Sequence, residues 1–235
     1  MFNKKNLNKI EYSQVIPFNQ SKHLNLIIKK DVLYTENEIC NLLTEIIQLH
    51  SSETANHIKR VGEYSYQLAL LAGIDKAEAK IIRKAAPFHD FGKVVIPDEI
   101  LNKPEKLTAE EYVIMQNHAA YGAKILNHLN KQHLKTNNLF NIAAIISEQH
   151  HEKYNGTGYP CRLKEKDIHI SARIVMIVDI FDALLSARIY KKSWEINKVI
   201  SYFHKNSGIF FDPEFVTIFI ENVNVFLEIR KQHPD

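Results

Sequence analysis

Residues 54–93 read TANHIKRVGEYSYQLALLAGIDKAEAKIIRKAAPFHDFGK. Apolar side chains recur at helical spacing from about Thr54 to Leu71, and Gly73 stands where a helix end favours glycine. Asp75 is placed to cap a third helix, which carries Ile81 and Ile82 and reaches FHDFGK. Upstream, Ile39, Leu42, Leu43, Ile46, Ile47 and Leu49 repeat the same period behind Thr35 and Glu38, spaced as a capping box. Downstream, helices are expected at about 108–128, 138–152, 171–189, 195–205 and 213–231. Thr108 with Glu111 repeats the capping box, and Asp212-Pro213 supplies an N-cap followed by proline at the first helical position. KPEK and YNGTGYP carry the turn residues. The reading is an all-α bundle over residues 35–235. Residues 1–34 form a short N-terminal extension of unassigned role, Asn/Lys-rich, with one or two short strands around VIPF and LNLII.

Composition narrows the class. Of 235 residues, 45% are hydrophobic and 24% charged, so there is enough apolar surface to offset chain entropy and exclude disorder over most of the length. Seven glycines and seven prolines argue against a many-turned β architecture. A net charge of +3 is too mild to point to a DNA or RNA polymer or to an anionic membrane. Two cysteines, Cys40 and Cys161, allow one bridge at most. The opening MFNKKNLNKIEYSQ lacks the apolar run of a signal peptide. The most apolar stretch, ISARIVMIVDIFDALL, is interrupted by Arg173, Asp179 and Asp182, so no membrane span is expected. A cytosolic protein is the expectation.

Five of the twelve histidines stand with carboxylates on segments read as helices: His57, the pair His89-Asp90, His118, the doublet His150-His151, and then Asp179. A single histidine on an apolar helix face is usually a satisfied core or surface residue. His23, His50, His128, His133, His169, His204 and His233 keep that reading. Asp179 is different, because an unpaired carboxylate inside ARIVMIVDIFDALL would cost several kcal/mol to bury. A metal or a cationic partner would remove that penalty. Imidazole with carboxylate suits a divalent transition metal such as iron, manganese or zinc. Lys93 follows His89 by four residues, one helical turn along on the same side.

The segments HDFGKVVIPDEILNKPEKLTAEEYVIMQNHAAYGAKIL and EQHHEKYNGTGYP resemble the HD-GYP family, bacterial phosphodiesterases of the HD superfamily that hydrolyse cyclic di-GMP. The resemblance covers roughly residues 35–220, with HD, GK, IPD, ILNKP, the later His, HHE, GxGYP and DxFDAL in order. It implies an HD-superfamily helical bundle. It also implies that His57, His89, Asp90, His118, His150, His151 and Asp179 hold two or three divalent ions, iron or manganese foremost. Glu53, one turn before His57, stands where three-metal members have a glutamate; otherwise it is a solvated carboxylate. Asp90 would bridge two ions, and Lys93 would direct its ammonium to a phosphate or leaving oxygen. Two ions about 3.5–4 Å apart activate water and hold the phosphate for in-line attack.

The substrate grip is implied in the same way. Gly156 and Gly158 allow positive φ or close backbone approach, Pro160 stiffens the loop exit, and Tyr159 offers a ring at the pocket rim. Arg188 and Lys191 match positions that hold phosphate and guanine; alone they would be basic residues at a helix C-terminus. Asp182 joins the substrate set, or orients a ligand, or pairs with Lys93 or Arg188. Two positions depart from the family pattern. Asn155 replaces an aspartate before GxGYP and keeps an Asx-turn former, and Pro87 brings a kink near the HD pair. The implied reaction opens cyclic di-GMP to pGpG and onward to GMP. The alternatives are a catalytically weak cyclic di-GMP-binding module and an HD hydrolase of another cyclic dinucleotide. A protein partner, or a second copy paired through the helix at about 39–49, completes the expectation.

Overall fold

Thr35 N–H donates to Glu38 Oε2 at 2.7 Å and Glu38 N–H to Thr35 Oγ1 at 3.3 Å, a reciprocal cap that opens α1, Glu36–His50. This computed structural model describes residues 35–50, 54–133, 138–186 and 193–235. The strands expected within 1–34 lie outside the described residues, as do Glu53, Arg188 and Lys191. The chain divides between Asn41 and Leu42 into two compact units, and the second, Leu42–Asp235, carries the predicted metal ligands.

Local chemistry sets most helix ends in this second unit. Thr54 accepts from His57 N–H at 3.0 Å and starts α2, Ala55–Leu71, which ends ahead of Gly73 at φ +78°. Asp75 accepts from Ala77 N–H at 2.8 Å and caps α3, Lys76–Ala85. The one-turn α4, Asp98–Leu101, precedes α5, Ala109–His133, opened by Thr108 and Glu111 as a second capping box. Then come α6 (Leu139–Gln149), α7 (Ile170–Leu185) and α8 (Ile196–Asn206). The chain closes with α9, Pro213–Glu221, capped by Asp212, and α10, Val223–Gln232. Among the described residues there is no strand, and no helix is long and apolar enough to cross a membrane.

Two helices depart from the spacing. The third does not reach FHDFGK: α3 stops at Ala85, and His89-Asp90 sit between 3-10 turns at Ala86–Phe88 and Phe91–Val95. Pro87 lacks a backbone donor and cannot continue an α-helix, which accounts for the break. The segment expected as one helix over 213–231 is two. At Asn222 the side chain donates to Ile218 O at 2.8 Å, offering the preceding turn a partner outside the helical ladder.

α7 is the core element. Ala172, Ile174, Val175, Ile177, Val178 and Phe181 are buried along it, and α2, α6, α8 and α9 pack around it. Phe181 meets Tyr64 at 5.4 Å and Phe219 at 5.0 Å between ring centroids, and Phe219 meets Phe226 at 4.9 Å. A helix so enclosed brings any polar side chain it carries into the interior. That is how Asp179 and Asp182 reach the centre.

The HD turn is pressed onto α5 by absence of side chain. A Cβ at Gly92 would lie 1.9 Å from His118 O and 2.5 Å from Gly122 N, both backbone atoms that cannot swing aside. Gly92→Ala is therefore expected to destabilise by about 3 kcal/mol or more, as overpacking does where nothing yields. Gly73→Ala, with positive φ but nothing within 4 Å, should lose only about 1–2 kcal/mol. Urea denaturation of both variants checks the order; equal losses would contradict the packing account.

Candidate metal centre

Five separate parts of the chain deliver the predicted ligands. His57 comes from the first turn of α2, His89-Asp90 from between the 3-10 turns, and His118 from α5. His150-His151 follow α6, and Asp179 comes from α7. The structure brings them together as two groups whose potential ligand atoms lie within 4.8 Å of one another. One is Asp90, His118, His150 and His151; the other is His57, His89 and Asp179.

The outward nitrogens decide what the inward ones can do. His89 Nδ1 faces Ala86 O at 2.9 Å, His118 Nδ1 faces Met115 O at 2.7 Å, and His150 Nδ1 faces Ser147 O at 3.0 Å. His57 Nδ1 faces Asp182 Oδ2 at 2.8 Å. Carbonyl and carboxylate oxygens only accept, so each Nδ1 carries a proton, and in the neutral imidazole each Nε2 then presents a lone pair. Those lone pairs converge on acceptors. His118 Nε2 is 3.0 Å and His150 Nε2 3.6 Å from Asp90 Oδ1, while His89 Nε2 is 3.3 Å from Asp90 Oδ2. His57 and His89 Nε2 stand 3.8 Å and 3.7 Å from Asp179 Oδ1.

Lone pairs facing lone pairs in a buried site repel unless something positive, an added proton or a metal ion, lies between them. His118 Nε2, His150 Nε2 and Asp90 Oδ1 are indeed buried without a hydrogen bond. The donor set, imidazoles with carboxylates, fits a divalent transition ion in each group.

Burial would raise Asp90, but the Lys93 ammonium at 2.6 Å, with the facing imidazoles of His89, His118 and His150, outweighs it and holds the carboxyl well below its usual range. Burial lowers His150, and burial with the neighbouring His150 lowers His151 further, keeping both neutral as ligands must be.

The remaining predicted residues fall into place unequally. Lys93 bonds Asp90 rather than Asp182. Tyr159 stacks on His151 with ring centroids 4.7 Å apart, so the loop borders the four-residue group. Gly158 lets the loop lie on the HHE backbone, since a Cβ there would meet Lys153 N at 2.4 Å. Asn155 keeps its turn, accepting from Thr157 N–H at 3.1 Å. Asp182 corrects one reading and matches another: it is 1% exposed with its oxygens taken by His57 and Arg60, which closes it to a substrate, while the bond to His57 fits the alternative that it orients a ligand.

Two contributors were missed. Glu152, buried, accepts from Cys161 N–H at 2.6 Å and Leu163 N–H at 3.0 Å, tying the loop exit to the histidine doublet. Tyr112 stands edge-on to Tyr159 at 6.5 Å. HHE hinted at the first by adjacency; nothing in the spacing marked the second.

The family described as "HD domain" matches residues 41–215. The chain belongs to the HD-domain family. It is 40% identical over 214 residues to a 3'3'-cGAMP-specific phosphodiesterase 2 of Vibrio cholerae, covering 91% of this chain and 40% of that protein. It is 37% identical over 181 residues to the cyclic di-GMP phosphodiesterase response regulator RpfG of Xanthomonas campestris, covering 77% and 46%. This HD-domain chain thus spans less than half the length of these two curated relatives. Among solved structures, a cyclic GMP-AMP specific phosphodiesterase of V. cholerae matches with a TM-score of 0.56 at 16% identity, over 83% of this chain and 53% of that one, a likeness of fold. The resemblance to HD-GYP proteins read from the motifs agrees with the family match and these relatives.

The lowered His150 and His151 give a pH prediction. Folded, they take up protons only at lower pH than when unfolded, where they do so below about pH 6.5. Their stability contribution is complete above that value and is lost as pH falls. The metal-free chain should melt at lower temperature near pH 5.5 than near pH 7.5, and a flat Tm across that window would contradict neutral buried imidazoles.

Proposed function

We propose that the chain is a metal-dependent phosphodiesterase that hydrolyses cyclic di-GMP to pGpG and onward to GMP. The observation that carries the reading is the Asp90 carboxylate, with Oδ1 toward His118 and His150 and Oδ2 toward His89. Such a carboxylate suits a bridge between two ions, one for each group of ligands. When bound, the ions neutralise phosphate charge and lower the pKa of water at the site. Iron or manganese fits the nitrogen and oxygen donors, and Glu53, outside the described residues, would serve a third ion.

The chain's own groups divide the remaining work. Lys93 holds Asp90 ionised and keeps an ammonium beside the space a phosphate would occupy. Tyr159 and Tyr112 supply ring surface for a guanine at the rim. Arg188 and Lys191 provide the grip on phosphate and base. Glu152 keeps the loop in place. Cys40 and Cys161 form no disulfide, which accords with a cytosolic setting. We include in this reading a pairing of α1 with a copy of itself or with a protein partner, supported by exposed Leu42, Ile46 and Leu49.

The names of the relatives support the substrate class, and one favours a second reading: the relative 40% identical is specific for 3'3'-cGAMP. The two substrates share the cyclic diester and one guanine.

A timed assay of manganese-loaded protein on both dinucleotides tests the proposal. Cyclic di-GMP should yield pGpG and then GMP, and Asp90→Ala should lower turnover roughly 10³-fold, the scale of losing several kcal/mol of charge stabilisation. Replacing Arg188 and Lys191 by Ala should weaken cyclic di-GMP binding at least about tenfold. Turnover of 3'3'-cGAMP alone would select the second reading. Bound ions with turnover of neither would overturn both.

A further inference from the structure

Behind the candidate centre lies a buried charge cluster that the proposed chemistry does not use. Arg60 is 1% exposed, as is Asp182. Asp182 Oδ1 accepts from Arg60 Nε at 2.6 Å and Arg230 Nη1 at 3.0 Å. Its Oδ2 accepts from Arg60 Nη2 and from His57 Nδ1, each at 2.8 Å. Two further Arg60 donors reach the last residues of the chain, Nη1 to His233 O at 2.7 Å and Nη2 also to Asp235 Oδ1 at 2.8 Å. Arg230 Nη2 holds the same Asp235 together with Leu185 O.

We propose that Arg60 is a positioning residue for the ion held by His57, His89 and Asp179, acting through Asp182 on the His57 imidazole; this rests on the metal reading above. The reason is geometry. The direction of His57 Nε2 toward an ion is set by the acceptor that holds Nδ1. That acceptor is a carboxylate buried almost completely, so its orientation is fixed by its other partners. The planar guanidinium fork of Arg60 grips both carboxylate oxygens and fixes their plane. His233 and Asp235 in turn hold the fork from behind. The relay ends on one ion ligand. The hydrogen bonds of Asp182 and Arg60 run to His57, Arg230, His233 and Asp235, away from the group formed by Asp90, His118, His150 and His151, so the effect is selective for one ion.

Manganese alone is the probe, with the number bound per chain and each dissociation constant read from the free-ion electron paramagnetic resonance signal. Arg60→Met should weaken one ion about 10- to 100-fold, the usual effect of losing an outer partner, and leave the other at wild-type affinity. His57→Ala should weaken the same ion, and adding Arg60→Met to it should cost nothing more. Arg60→Lys, which keeps charge without the fork, should recover only part. If Arg60→Met does not fold, Asp182→Asn, isosteric and uncharged, carries the same expectation. Both ions at wild-type affinity in Arg60→Met, both weakened alike, or a further loss in the His57→Ala background would overturn the proposal. A wild-type chain that binds no manganese would overturn the metal reading itself.

Discussion

Unprotonated imidazole nitrogens cannot face a carboxylate inside a protein without something positive between them. The elements that carry the seven ligands create that confrontation. The tautomers are set from outside, by Ala86 O, Met115 O, Ser147 O and Asp182, each of which takes an Nδ1 proton. The inside is then a shell of acceptors with the Lys93 ammonium at one edge. Divalent ions would convert this repulsive arrangement into the best-satisfied part of the molecule.

The scaffold meets this demand at identifiable places. Glycine at position 92 permits the turn carrying His89 and Asp90 to lie against the backbone of His118. An apolar, enclosed α7 carries Asp179 and Asp182 inward, and the Phe181, Phe219 and Phe226 cluster at its flank anchors it. Glu152 fastens the tyrosine loop to the histidine doublet. Stability and function meet in these residues, because the contacts that fix ligand directions are also core contacts.

Much of this was legible in the sequence wherever the signal was local. The caps at Thr35, Asp75, Thr108 and Asp212 lie within three residues of the groups they satisfy, and all four occur. The histidines and aspartates of the two groups were legible through motif order, not through periodicity. What stayed hidden depends on distance along the chain or on competition between local rules. Arg60 and Asp182 are 122 residues apart, and a cation on an amphipathic helix looks solvated in sequence. Asp182, three residues after Asp179, left substrate binding, ligand orientation and a pairing with Lys93 or Arg188 all open, and its oxygens are enclosed by His57, Arg60 and Arg230. The apolar run up to FHDFGK read as helix until Pro87 divided it, and Asn222 split a segment whose hydrophobic pattern runs through it.

The central claim is that the two groups of ligands each hold an ion, with Asp90 between them. Anomalous diffraction from a manganese-loaded crystal, collected either side of the metal absorption edge, tests it most directly. The account predicts one peak among Asp90, His118, His150 and His151 and another among His57, His89 and Asp179, with an Asp90 oxygen on each. Peaks elsewhere, or a loaded crystal with neither position occupied, would contradict it.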